Sequence, residues 1–135
     1  MDMAYFWVML GSALGGGARY LVSGLAGNQF GQTFPWGTLI VNVTGSFIIG
    51  FLATFTGPDG RLLIRTEVRQ FFVTGVCGGY TTFSSFSLQT LNLIRDREMA
   101  LAGANIGMSF LFCLVAVWCG HLAALTLTQL KEPDL

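Results

Sequence analysis

The apolar stretch from Phe71 to Leu93 is interrupted in its middle by the run CGGYTTFSSFS, residues 77–87. Non-helical backbone inside a membrane is tolerated only where protein buries it or where it borders a water-filled cavity, because hydrocarbon offers free peptide groups no hydrogen bonds. Adjacent glycines followed by hydroxyl-bearing residues and phenylalanines therefore indicate a pore or an ion site, rather than a surface in contact with lipid.

The composition places this stretch in a membrane protein. Of the 135 residues, 53% are hydrophobic and only 10% are charged, whereas about 25% are charged in a soluble domain. Four segments reach the roughly 20 residues that cross a bilayer: about 4–26, 36–55, 69–94 and 99–127. We therefore predict an all-α, multi-pass membrane protein with one domain, residues 1–135. The first segment is expected to be a retained span, because it lacks the basic start of a secretion signal.

The basic residues divide almost evenly between the two sides that four spans define. Four are expected on the side of the termini: Arg61, Arg65, Arg69 and Lys131. Three are expected on the other side: Arg95, Arg97 and, from the end of the first span, Arg19. Orientation normally follows an excess of Lys and Arg in cytoplasmic loops, and an excess of one leaves it nearly undecided. The sequence is thus compatible with an antiparallel homodimer, and equally with one orientation set by the arginine cluster.

Small residues recur in the spans, at Gly11, Gly15, Gly45, Gly50, Gly103 and Gly107. Two of the pairs have the four-residue spacing that lets membrane helices approach closely. Four helices are also too few to enclose a polar path and still seal it against lipid. Both observations favour an oligomer.

Two polar residues within the spans are candidates for an anion path. Arg19 has no acidic partner near the centre of any span, so it either reaches the headgroups or supplies a fixed positive charge at the mouth of the path. Asn42 either joins helices through a hydrogen bond or offers its amide protons to an anion. The lack of a central carboxylate favours anions over cations.

The residues that follow the interruption add ring edges and hydroxyl groups. Phe83 and Phe86 are three residues apart and share a helix face, and Ser84 and Ser87 share a neighbouring one. Because the edge of an aromatic ring is positive, such rings beside hydroxyl donors could replace the water around a small anion. Simple core packing is the other interpretation of the two phenylalanines.

The interruption itself, residues 78–81, is expected to present carbonyl oxygens without partners. Such oxygens suit a hard cation such as sodium, and two copies meeting on a symmetry axis would supply four of them. A simple kink at Gly78 and Gly79 is the alternative.

Three motifs of this chain resemble the first three spans of the Fluc fluoride channels. They are Gly15-x-x-x-Arg19-Tyr20, the segment Gly37-Thr38-Leu39-x-x-Asn42-x-x-Gly45-Ser46, and the long run from Gly75 to Ser87. The resemblance covers essentially the whole chain in length, span count and order. It implies a dual-topology, antiparallel homodimer with two fluoride pores and a structural sodium ion at its centre.

Carried over by position, the resemblance assigns roles to individual residues. The pores would be lined by Asn42, Phe83, Phe86 and Ser109, with Ser84 and Ser85 on a polar track and Arg19 near the entrance. The sodium ion would be held by the main-chain carbonyls of Gly78 and Thr81. Two positions depart from the pattern: no tyrosine stands between Leu101 and Asn105, and Gln89 replaces a glutamate that some relatives carry.

The sequence therefore predicts a passive channel that exports fluoride across the cell's inner membrane. Its expected partners are fluoride, membrane lipid and a second copy of the chain, and no nucleic acid. The main rival is a small dual-topology multidrug or cation exporter, which normally needs an embedded carboxylate to couple to protons. A scaffold subunit without transport activity is a third possibility. An enzyme is not expected, because one His and three scattered Cys form no nucleophile–base pair or metal cluster.

Overall fold

In the computed structural model, which describes residues 3–130, every regular element is a helix. The elements in order are α1 (Met3–Phe30), α2 (Trp36–Phe55), α3 (Thr66–Gln70), a π-helical segment (Phe71–Cys77, here the π segment), α4 (Gly78–Tyr80), α5 (Phe83–Arg95) and α6 (Met99–Gln129). The all-α prediction is thus confirmed for the described part of the chain.

Two of these helices, α2 and α6, are both long and apolar enough to cross a membrane. The helix α1 has sufficient length, 28 residues, but the glycines at 15–17 and Arg19 lower its mean hydropathy. The third predicted span is divided among four shorter elements. The bounds predicted for the second span agree with α2, whereas α1 and α6 extend beyond theirs. The count of four membrane spans stays a prediction.

Arg61 and Arg95 lie at opposite ends of the helix bundle. At one end, Trp7 near the start of α1 contacts Phe71 edge-to-face with ring centroids 6.1 Å apart. At the same end, the Arg61 guanidinium donates a 2.8 Å hydrogen bond to the carbonyl oxygen of Leu127 in the last turn of α6. Arg95 ends α5 at the opposite end of the bundle. Lys131, which entered the charge comparison, lies outside the described residues.

Glycines set the closest helix contacts within the chain. A Cβ atom at Gly50 would collide with the carbonyl oxygen of Val117, and one at Gly120 would collide with that of Phe47, so α2 and α6 touch backbone to backbone. A Cβ atom at Gly11 would lie 2.5 Å from the carbonyl oxygen of Phe71 in the π segment. These contacts hold the third apolar segment and α6 against α1 and α2.

This packing corrects one expectation from the sequence. Gly11, Gly15, Gly45 and Gly50 were counted in favour of an oligomer, yet each faces another element of the same chain. They therefore give no support to an interface between copies. Gly103 and Gly107 differ, because a Cβ atom at either would have no neighbour within 4 Å among the described residues.

A candidate ion pathway at the break between α4 and α5

The third apolar segment is broken at Thr81 and Thr82. Thr81 has φ −79° and ψ 157°, and Thr82 has φ −154° and ψ 116°, so both residues are extended. Gly78 is helical, with φ −65° and ψ −37°. The predicted interruption is therefore real, but it lies at the two threonines and is not a kink at the glycine pair.

The side chain of Asn42 on α2 takes the place of the missing helical hydrogen bonds. The Thr82 N–H donates to Asn42 Oδ1 at 2.7 Å, and Asn42 Nδ2 donates to the carbonyl oxygen of Thr82 at 2.9 Å. Both peptide groups of the extended residue are thereby satisfied without water. These two hydrogen bonds require α2 to lie very close to the break. Gly45 permits this approach, because a Cβ atom at that position would collide with the methyl group of Thr81.

Thr82 also begins α5 as its N-cap. Its Oγ1 accepts a 3.1 Å hydrogen bond from the Ser85 N–H and donates to Ser85 Oγ at 3.1 Å. The Ser84 hydroxyl lies 3.2 Å from the same oxygen. An N-cap hydroxyl satisfies a helix N–H that has no partner within its own helix. The two serines predicted for a polar track thus contribute, in this chain, to the start of α5.

Because the N–H groups of Thr82 and Ser85 donate to side chains, two main-chain carbonyl groups at the break lose the donors that a continuous helix would give them. In a continuous helix the N–H of Thr82 would reach Gly78 O and that of Ser85 would reach Thr81 O. The first is donated to Asn42 and the second to Thr82 Oγ1. No main-chain hydrogen bond among residues 3–130 joins α4 to α5. Gly78 O and Thr81 O therefore lack the donors that a continuous helix would give them, and their role as ion ligands stays a prediction.

A cavity of about 380 Å³ lies beside the break, between α2, α5 and α6. It brings together four residues that the sequence assigns to a pore: Asn42, Phe83, Phe86 and Ser109. Apolar side chains form most of the remaining wall. No carboxylate is among its lining residues, all of which belong to the described part of the chain. We call this space the break cavity.

The two phenylalanines lie side by side but in different surroundings. Their ring centroids are 5.3 Å apart at an interplanar angle of 46°. Phe86 is 7% exposed and meets Phe110 of α6 edge-to-face, whereas Phe83 is 71% exposed. One ring is thus part of the core and the other stands at the open side of the cavity.

Ser84, Ser85 and Arg19 do not line the break cavity. Arg19 is half-buried on α1, a helix that contributes nothing to its wall. Conversely, Ser46 and Cys113 line the cavity, although the sequence analysis assigned neither to the pore. Each lies four residues from a predicted pore residue, Asn42 or Ser109, so helical spacing was the signal that could have found them.

A second, more polar cavity of about 520 Å³ lies at the opposite end of the groove between α2 and α5. We call it the end cavity. Amide, hydroxyl and carboxylate side chains supply much of its wall: Asn28, Gln32, Thr38, Gln89, Asn92 and Asp96. These residues come from two stretches that are distant in the chain, 23–38 and 89–96, so the sequence alone did not group them.

Comparison with known proteins relates this chain to one family. The family described as CrcB-like protein, Camphor Resistance (CrcB), matches residues 6–121. A Methylocella silvestris protein named fluoride-specific ion channel FluC is 55% identical over 129 residues, which are 96% of this chain and 98% of the relative.

Further relatives carry the same name. One from Opitutus terrae is 58% identical over 127 residues, 94% of this chain and 96% of the relative. One from Rhodospirillum rubrum is 54% identical over 127 residues, 94% of this chain and 98% of the relative. The matched region includes the break, both cavities and most of α6, and the chain therefore belongs to the CrcB family.

Proposed function

We propose that this protein is a passive, fluoride-selective channel of the cell's inner membrane. The observation that carries the proposal is the break cavity, where an amide, hydroxyl groups and two phenylalanine rings converge without a carboxylate. The names of relatives that are more than half identical along nearly their full length support the same ion.

Fluoride binds water strongly, so a pore must replace its hydration shell without holding the ion. Asn42 and Ser109 bring an amide and a hydroxyl group to the cavity wall, and N–H and O–H groups are the donors that an anion accepts from. The rings of Phe83 and Phe86 add weakly positive edges. Weak donors of this kind stabilise a passing anion while leaving it free to move on.

The proposed pore needs a second copy of the chain. The break cavity is open at the surface of a single chain, and Phe83 is 71% exposed there. An antiparallel homodimer would cover this side, give each pore a complete wall and provide two pores per dimer. In that arrangement Arg19, which does not line the break cavity of its own chain, would lie at the entrance of a pore.

A structural sodium ion fits the break. Gly78 O and Thr81 O lack helical donors because the corresponding N–H groups bond to Asn42 and Thr82. Two such oxygens from each of two copies would give four carbonyl ligands, which suit a hard cation. The ion would fix the two breaks against each other and take no part in conduction.

Export through such a channel requires no fuel. Neutral hydrogen fluoride crosses a bilayer from acidic surroundings and releases fluoride in the near-neutral cytoplasm. An inside-negative potential then drives the anion outward, at about 2.3 kcal/mol per elementary charge per 100 mV. A selective open pathway is therefore sufficient.

The test is fluoride efflux from liposomes that contain the purified protein, with chloride as the control ion. We expect rapid fluoride efflux, almost no chloride efflux, and no change when a proton gradient is collapsed. Loss of transport on collapse of that gradient would favour the rival exporter, and absence of any flux would favour a scaffold subunit. Either result would overturn the proposal.

A further inference from the structure

The break cavity and the end cavity lie along one groove and are separated by about one helical turn. On α2, Asn42 lines the break cavity and Thr38 lines the end cavity. On α5, Phe86 lines the break cavity and Gln89 lines the end cavity. One turn corresponds to about 5.4 Å of helix. An ion that crosses the protein along this groove must pass the side chains at this level.

Two buried polar residues, Thr90 on α5 and Asn105 on α6, stand at the separating level. Thr90 is one turn from Phe86, and Asn105 is one turn from Ser109. Asn105 is 1% exposed and Thr90 is 8% exposed. Asn105 Nδ2 lies 2.9 Å from Thr90 Oγ1, and Thr90 Oγ1 lies 2.8 Å from the carbonyl oxygen of Phe86.

The direction of these hydrogen bonds fixes the orientation of the Asn105 amide. A carbonyl oxygen only accepts hydrogen bonds, so the Thr90 hydroxyl must donate its single proton to Phe86 O. Thr90 Oγ1 can then only accept a hydrogen bond from Asn105, which requires the NH₂ end of the amide on that side. Asn105 Oδ1 consequently points away from Thr90, and it is buried without a hydrogen-bond partner among the described residues.

A buried carbonyl oxygen of this kind needs a donor. Bare fluoride is itself an acceptor and does not supply one. Water does, and after donating one proton to Oδ1 it keeps a second proton that can point into the groove. An ordered water thus converts an acceptor of the protein into a donor for an anion.

We propose that Asn105 Oδ1 holds an ordered water molecule between the two cavities, and that this water solvates fluoride as it passes. The inference rests on the proposed function, since it specifies how the same pathway is lined at its narrow level. Asn105 is here a positioning residue, because it acts on the ion through the water.

A crystal structure of the wild-type protein, at a resolution that shows ordered water, is the first test. We expect a water molecule about 2.5–3.0 Å from Asn105 Oδ1. A dry carbonyl, or one bonded to a side chain of a second copy, would overturn the inference. This result does not depend on transport, so a wild-type protein without fluoride flux would count against the proposed function separately.

Fluoride efflux of three variants is the second test. Asn105→Leu removes the acceptor and should lower flux about tenfold, the effect expected for one lost hydrogen bond. Asn105→Ser keeps an oxygen and leaves room for water, so it should restore most of the flux. Thr126→Val is the control, because it removes an exposed hydroxyl that bonds only within its own helix and lines neither cavity, so it should change flux by less than about threefold.

The two Asn105 variants distinguish a merely structural hydrogen bond between Thr90 and Asn105. In that case Asn105→Ser would not recover flux. Size-exclusion chromatography and thermal unfolding in detergent identify any variant that fails to assemble. Wild-type flux from assembled Asn105→Leu protein would also overturn the inference.

Discussion

Asn42 and Thr82 are joined by two hydrogen bonds of opposite direction, 2.7 Å from the Thr82 N–H to Asn42 Oδ1 and 2.9 Å from Asn42 Nδ2 to the Thr82 carbonyl oxygen. The same asparagine lines the break cavity. Its Oδ1 and one of its two amide protons are used by the protein, which leaves the second amide proton as its available donor. One side chain therefore stabilises the break and contributes to the candidate pore.

Replacing Asn42 by Ala should reduce both stability and fluoride throughput. The change leaves the N–H and carbonyl of Thr82 without partners, at a cost of about 1–3 kcal/mol for each buried group. Thermal unfolding in detergent and fluoride efflux from liposomes measure the two effects. Thr126→Val is a suitable control, because it removes an exposed hydroxyl that bonds only within its own helix. Undiminished flux from Asn42→Ala would assign the asparagine to the fold alone.

Replacing either phenylalanine by Ile should greatly reduce fluoride flux, because a branched aliphatic side chain has no positive ring edge. Phe86 is 7% exposed and packs edge-to-face on Phe110, so Phe86→Ile should also cost about 0.5–3 kcal/mol of stability. Efflux assays and thermal unfolding of both variants check this. Normal conduction by both would refute the assignment of these rings to the pore.

Adding one methyl group at Gly120 should separate α2 from α6. A Cβ atom there would collide with the carbonyl oxygen of Phe47, which is backbone and cannot rotate away. We expect Gly120→Ala to cost about 1–3 kcal/mol, measured by thermal unfolding. Gly107→Ala is the matched control on the same helix, since a Cβ atom at Gly107 would have no neighbour within 4 Å. Equal loss of stability in both variants would contradict the tight contact between α2 and α6.

Cys113 should make the channel sensitive to a small thiol reagent. It lines the break cavity one turn from Ser109, so inorganic mercury bound to its sulfur would narrow the path. We expect mercury to block fluoride efflux from the wild-type protein and to leave Cys113→Ser unaffected. Cys119 is exposed and does not line the cavity, so Cys119→Ser should remain sensitive. Equal block of the wild-type protein and Cys113→Ser would place the ion path elsewhere.

Local sequence was sufficient for the elements of the fold. The segment 36–55 became α2 with the same bounds, because a largely apolar segment without proline can satisfy its backbone hydrogen bonds within its own helix. The interruption near residue 80 was also foreseen. Its place was predicted in part: Thr81 is extended as expected, whereas Gly78 is helical. Glycines can remain helical when neighbouring helices pack closely on them, as α1 does on Gly79 through Ser12.

The parts of the candidate site that depend only on the spacing of residues within one helix could be predicted from the sequence. Phe83 and Phe86 share a face because they are three residues apart, and their rings do lie together. The hydrogen bonds between Asn42 and Thr82 could not be predicted from the sequence, since 40 residues separate the two positions. The same is true of Asn105 and Thr90, whose hydrogen bond depends on how α6 returns along α5.

The sequence by itself determined the helical class, the segments rich enough in apolar residues to enter a membrane, and the run that interrupts one of them. Those properties depend on composition and on neighbours a few residues apart. The tertiary structure decided which groups satisfy the interruption. That choice depends on contacts between α2, α5 and α6. Glycines bring α2 against α6 at Gly50 and Gly120, and against the break at Gly45.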